Sequence, residues 1–150
     1  MIAGSLIGMA IDQGYIESVN ERVLDFFPDR QVKNVDHWKQ SLTVEHLLTM
    51  TSGLGSIDVI DTERMLNSED WVQFALDLPM KHPPCTHWKY HQPTAFLLSA
   101  ILTRATGMSA FEFARVNLFN PLGIEHSGRF GVCVPLFRHP SILLEHTHIE

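Results

Sequence analysis

Cys85-Thr86-His87-Trp88-Lys89-Tyr90-His91-Gln92-Pro93 runs without a break into Thr94-Ala95-Phe96-Leu97-Leu98-Ser99-Ala100-Ile101-Leu102. The first half is polar and aromatic; the second is apolar on nearly every side. Ala95, Phe96, Leu97, Leu98, Ala100, Ile101, Leu102 and Ala105 leave no wide polar face. This predicts a helix buried all round, at the centre of a fold. Its start would hold Tyr90, His91 and Gln92 in fixed places at the edge of the core. Fixed polar groups on a rigid element are how sites are built. The plainer possibility is a core-edge tyrosine with a bonded hydroxyl.

The bulk of the chain suits such a core. It has 150 residues, 45% hydrophobic and 19% charged, a globular composition with length enough for one domain. The net charge is −6 with no run of Lys or Arg, which argues against nucleic acid or an anionic membrane as partner. Cys85 and Cys133 show no framework or metal-knuckle spacing, so reduced thiols are expected. The nine histidines include no zinc-helix pair. His139, His146 and His148 cluster late, but no metal or other cofactor is expected. Ile2 to Ile11 is apolar, yet it lacks the basic flank and cleavage site of a signal peptide and is too short to span a bilayer. The chain as given is expected to be soluble and cytoplasmic.

In order, Met1–Gln13 reads as a helix stopped by Gly14, with apolar residues around the axis and no N-cap ahead of it. Asn20 is the expected cap of Val23-Leu24-Asp25-Phe26-Phe27, which Pro28 ends. Asp29–Ser41 reads as a polar loop anchored by Trp38. Thr43 caps a short helix over 44–50, with Glu45 in its first turn and Gly53 suited to a left-handed cap. His46 on that helix is expected to be structural. Ser56–Asn67 reads as a surface loop with some helix. Ser68 caps a helix with Trp71, Phe74, Ala75 and Leu78 on one face, ended by Pro79. After the central helix and Thr106-Gly107, Ser109 and Glu112 form a capping box. From about Ser127 the pattern changes, with a possible broken strand over 128–137.

Four stretches resemble the serine hydrolases of the class C β-lactamase-like family, which includes penicillin-binding proteins and carboxylesterases. They are Leu6–Gly14, Val23-Leu24-Asp25-Phe26-Phe27-Pro28, Thr43–Leu54 and Phe119-Asn120-Pro121-Leu122-Gly123-Ile124. Pro84-Cys85-Thr86-His87-Trp88-Lys89-Tyr90 is similar to the family's Pro-Gly-Thr-x-Phe-x-Tyr. The resemblance covers roughly residues 4–125. It implies a mainly α chain: the helical subdomain of the β-lactamase/transpeptidase-like α/β fold over 1–127, lacking most of the antiparallel sheet, then a divergent tail over 128–150.

The family's chemistry, as the resemblance implies it, needs three elements. Ser-x-x-Lys supplies nucleophile and base. Tyr-x-Asn supplies a proton shuttle and an amide that holds substrate. Lys-Thr-Gly or His-x-Gly on an edge strand binds carboxylate and completes the oxyanion hole. Here the spacing of Leu6-Ile7-Gly8 puts the lysine just ahead of Met1, so the chain is expected to start right after the nucleophile. Ser5 is no substitute, because Gly8 stands three residues on. Tyr90-His91-Gln92 matches the second element, with Gln92 where Asn belongs. Tyr90 is then a vestigial proton shuttle, with Gln92 and His91 as substrate-binding residues. The third element is expected to be absent, the chain stopping long before it. A tyrosine titrates near pH 10 in water, so it needs a neighbouring cation to act as a base at neutral pH. Each lost oxyanion donor removes about 3–4 kcal/mol of transition-state stabilisation. The expectation is a family member inactive alone.

Two other functions fit the residues. The cleft near Tyr90 would serve a non-catalytic binding module for a small ester, amide or β-lactam, or for a protein. Alternatively, Ser52 or Ser5 pairs with a histidine and keeps activity by another route. An apolar face left without its sheet would favour a homo-oligomer.

Overall fold

The computed structural model describes residues 2–55, 65 and 67–124. The late histidines, Cys133, the strand expected over 128–137, the tail 128–150 and most of the loop 56–67 lie outside the described residues. Among those described, the chain forms six α-helices and two tighter or wider helical turns, with no strand and two isolated β-bridges, Arg22 to Thr43 and Leu54 to Met80. The helices are α1 (Ile2–Asp12), α2 (His37–Gln40), α3 (Val44–Leu48), α4 (Trp71–Asp77), α5 (Gln92–Thr106) and α6 (Ala110–Ala114). A 3-10 turn spans Val23–Phe26 and a π-helical turn Arg115–Phe119.

α5 is the axis of this arrangement. Most of its apolar run is buried: Phe96, Leu97, Leu98, Ile101 and Leu102 are in the core, along with Pro93, Thr94 and Ser99, whereas Ala95, Ala100 and Ala105 are half-buried and Arg104 is exposed, so burial is not complete all round. It packs against α1, α3, α4, α6 and the 3-10 turn. Each large apolar side chain fully buried contributes roughly 1.5–3 kcal/mol. The exposed ion pair Arg104–Asp29 (2.8 Å) and the partly buried pair Arg30–Asp70 (2.6 Å) contribute on the order of 1 kcal/mol each. Packing on α5 therefore dominates. The helix ends where Gly107 takes a left-handed φ of 72° and its N–H reaches Thr103 O, a cap that a residue without Cβ adopts freely.

α1 departs from its expected all-round burial. Leu6, Ile7 and Ala10 face the core, while Ser5 and Gly8 are exposed. Only one side meets α5 and α6, so apolar periodicity alone overstated its cover. Two caps also differ. Asp70, not Ser68, caps α4, its carboxylate accepting from Gln73 N. No side chain caps the 3-10 turn, whose N-cap position is Arg22, not Asn20. The Ser109–Glu112 capping box forms as expected. No single described helix is long and apolar enough to cross a membrane; α5 and the α6–π segment pass together but bend by 75°.

The loop over 29–41 is held by a residue the sequence did not single out. Trp38 is only half-buried, whereas Lys39 is 1% exposed. Asp36 caps α2 and turns Lys39 inward. The Lys39 ammonium donates to the carbonyls of Lys33 (3.0 Å), Leu76 (2.8 Å) and Leu78 (2.6 Å). It thereby satisfies acceptors at the C-terminal end of α4, where helix carbonyls lack intrahelical partners and favour a cation. Burial pushes its pKa below the usual lysine value, with the carboxylates of Asp77 and Asp36 opposing. Lys39→Met keeps the aliphatic stem but strands three carbonyls, so it should cost about 2–3 kcal/mol in urea unfolding.

Candidate functional site

The site is built on two loops that zip together. α3 ends at Leu48, and Met50, not Gly53, takes the left-handed position behind it, at φ 58°. Thr51 N–H then closes back to His46 O. At the other end of the helix, His46 Nδ1 accepts from Thr43 N–H (3.1 Å), which gives this histidine the structural task expected of it. The segment 50–55 continues as an irregular ribbon alongside 79–89. Gly55 N–H donates to Pro79 O (2.7 Å), and Lys81 and His82 N–H donate to Gly53 O (2.8 and 3.2 Å). Cys85 N–H donates to Thr51 O (2.9 Å), and Lys89 N–H to Met50 O (3.0 Å).

Gly53 makes the zip possible. Its φ is +73°, and a Cβ at this position would sit 2.1 Å from His82 O. The approach is backbone to backbone, so no flexible side chain can yield. Both demands exclude every other residue.

The outer ribbon reverses at Pro83-Pro84-Cys85-Thr86. Thr86 N–H and Oγ1–H both donate to Pro83 O (3.4 and 2.6 Å), and Cys85 has φ +67°. Proline second and a positive φ third are the marks of a type II turn, which favours glycine in the third place. Cys85 therefore carries backbone strain at the position where the similar family motif has Gly. The imidazoles of His82 and His87 stack across the turn, centroids 4.0 Å apart.

The ribbon delivers Tyr90, His91 and Gln92 to the start of α5, but in two directions. Trp88 and Tyr90 are 72% and 69% exposed, and Gln92 is exposed in the first turn of α5. His91 turns inward, 5% exposed. Its Nε2 lies 2.9 Å from Gly55 O and its Nδ1 3.2 Å from Thr94 Oγ1. Both ring nitrogens are thus engaged by the protein. Burial pushes its pKa below the usual 6.5; the Gly55 carbonyl opposes this and Lys89 reinforces it. The remaining candidates lie apart. Ser52 is buried, with its Oγ accepting from Leu54 N–H at 3.4 Å, and Ser5 is exposed on α1. No described hydrogen bond joins either serine to a histidine. Among the described residues, no group of three or more His, Cys, Asp or Glu is placed to hold a metal. The sequence reading missed the Gly53–His82 approach and the strained Cys85. The Pro-Pro pair was the signal that could have revealed the turn.

Comparison with known proteins bears on this geometry. Residues 1–131 match the family model described as Beta-lactamase. Penicillin-binding protein 4* of Bacillus subtilis (strain 168) is 29% identical over 105 residues, 62% of this chain and 23% of that protein. The octameric penicillin-binding protein homologue from Pyrococcus abyssi has a similar fold, with a TM-score of 0.68 at 23% identity over 86% of this chain and 31% of the other. The chain thus spans less than a third of the length of either protein.

Substitutions at the zip should act in opposite directions. Gly53→Ala should destabilise by roughly 2–4 kcal/mol, combining a left-handed Cβ with a clash against backbone. Cys85→Gly should stabilise by about 1 kcal/mol as the turn's strain is relieved. Urea unfolding of the two variants beside the parent chain checks both signs.

Proposed function

This chain belongs to the beta-lactamase family, and from that premise we propose that it forms the tyrosine-bearing wall of an acyl-transfer cleft without carrying acyl transfer by itself. The family reaction passes through an acyl-serine and hydrolyses β-lactams, esters or peptides. In this wall Tyr90 stands in for the proton shuttle, and the Gln92 amide faces the substrate. The observation that supports this most is the pairing of exposure with rigidity. Gln92 projects into solvent from the first residue of the central helix and Tyr90 from just ahead of its N-cap, and the backbone leading to them is bonded to 50–55 as far as Lys89. A rigid element that presents polar groups outward suits a site.

The proposal that this chain does not turn over substrate by itself is supported by its chemistry. No serine in the sequence has a lysine three residues on, and Lys-Thr-Gly occurs nowhere in it; the alternative His-x-Gly is matched in sequence by His126-Ser127-Gly128, which lies outside the described residues. Acyl transfer needs an activated nucleophile and donors aimed at the developing oxyanion. Neither Ser5 nor buried Ser52 stands in a described hydrogen bond with a base. Gln92 is one methylene longer than the Asn it replaces, so its amide reaches a different point above the helix start.

A second function, reversible binding without turnover, is favoured by one specific observation. Trp88 and Tyr90 are the two most exposed large apolar side chains among the described residues. Aromatic rings on a fixed backbone offer contact area at low entropic cost. Intact-mass analysis after incubation with a fluorophosphonate or a penicillin separates these functions from an enzyme. The expected outcome is no covalent adduct; a stoichiometric serine adduct would overturn the proposal. Weak saturable binding lost in Tyr90→Phe would mark the binding module.

A further inference from the structure

Tyr90 and Gln92 are exposed, so side-chain packing does not hold them. Their placement comes from the backbone on either side. Ahead of Tyr90, Lys89 N–H is bonded to Met50 O at 3.0 Å. After it, His91 sits at the N-cap of α5 with extended φ and ψ of −140° and 109°, and sends its ring into the core. That ring bridges two elements. Nε2 is 2.9 Å from Gly55 O on the inner ribbon, and Nδ1 is 3.2 Å from Thr94 Oγ1 one turn into α5. Histidine is an unusual choice for an N-cap. Here its own side chain caps nothing, which leaves the bridge as its contribution.

The donor arithmetic fixes one ring position, and burial favours the neutral ring. A carbonyl only accepts, so Nε2 carries the hydrogen toward Gly55 O. Nδ1 then has a lone pair and accepts from the Thr94 hydroxyl. A second proton would turn Nδ1 into a donor facing that hydroxyl. Thr94 would have to rotate its hydrogen away and present a lone pair, in a place closed to water.

We infer that His91 is a positioning residue whose neutral, Nε2-protonated ring pins the ribbon 50–55 to the start of α5, so that its protonation is transmitted to the exposed Tyr90–Gln92 wall. The importance of that wall to function rests on the proposal above; the coupling itself does not.

His91 is the buried histidine of the site; the outer ribbon also carries Lys81, His82, Cys85, His87 and Lys89, and the 3-10 turn packed on α5 carries Asp25. Lys89 acts on the ring and disfavours a second positive charge, as desolvation does more strongly. The ribbon 50–55 holds no titratable side chain, and α5 none before Arg104. Of the helices packed on α5, α1 carries Asp12 and α3 carries Glu45 and His46. α6 carries Glu112, in its capping box. On α4, Asp77 accepts from Lys33 N and Gln73 Nε2, and the capping Asp70 from Arg30. The folded chain therefore resists protonation of His91 more than the unfolded chain does. As pH falls through 6.5, the unfolded state takes up the proton first, and stability declines toward the lower folded value.

Nuclear magnetic resonance of the full chain, titrated from pH 8 to 5, tests this. The His91 ring should show the Nε2–H neutral tautomer at pH 8. The Tyr90 ring and the Gln92 side-chain amide should shift along the His91 titration curve, with a midpoint below 6.5. In His91→Gln the amide still reaches toward Gly55 O but cannot titrate, so both steps should vanish; in His87→Gln they should persist. An Nδ1–H tautomer overturns the inference, and so do Tyr90 and Gln92 steps that follow His82 or His87. If His91→Gln does not fold, the midpoints of the parent chain decide alone. A serine adduct in the mass experiment would sink the functional proposal and leave this measurement unaffected.

Discussion

Everything at the candidate site depends on one close approach of backbone to backbone. Gly53 lets the carbonyl of His82 come to a distance that any Cβ would forbid. That contact seats the outer ribbon, and the outer ribbon carries Tyr90 to the mouth of the central helix. Two irregular ribbons would ordinarily drift in register, because loop backbones satisfy their polar groups with water as readily as with each other. Here five backbone bonds between 50–55 and 79–89 bracket the glycine and leave a single register.

The second support is a division of labour around Tyr90. Tyr90 and Gln92 face solvent, and His91 between them faces the core. Burying an imidazole is costly unless both nitrogens are used. The protein uses both, one on each of the elements that must be kept together. The exposed groups are therefore held by a buried neighbour, and they stay free to meet whatever approaches the wall. Lys39 solves a similar problem on the far side of α4: one buried cation collects three carbonyls that the polar loop and the helix end would otherwise leave short.

Family membership gives this geometry its meaning, and the motif departures give it its limits. Cys85 keeps the turn that the similar motif makes with glycine, at the cost of a strained φ. Gln92 keeps an amide but moves it. These are changes at the rim, whereas the fold over 86% of the chain is similar to that of the Pyrococcus abyssi protein, with a TM-score of 0.68.

How much of this could be read in advance differs by element. The burial of most of α5, the Ser109–Glu112 capping box and the stops at Gly14 and Gly107 are local matters. Apolar period, capping chemistry and the absence of Cβ act within a few residues, so the sequence alone determined them. The one-sided cover of α1, the inward turn of Lys39 rather than Trp38 and the opposite directions of His91 and Tyr90 are not local. Each depends on which carbonyl or which helix stands nearby after the chain has folded back from 30 or more residues away. Only the tertiary structure could decide them, because a polar side chain goes where its hydrogen-bond partners are, and no sequence spacing records where those partners come to rest.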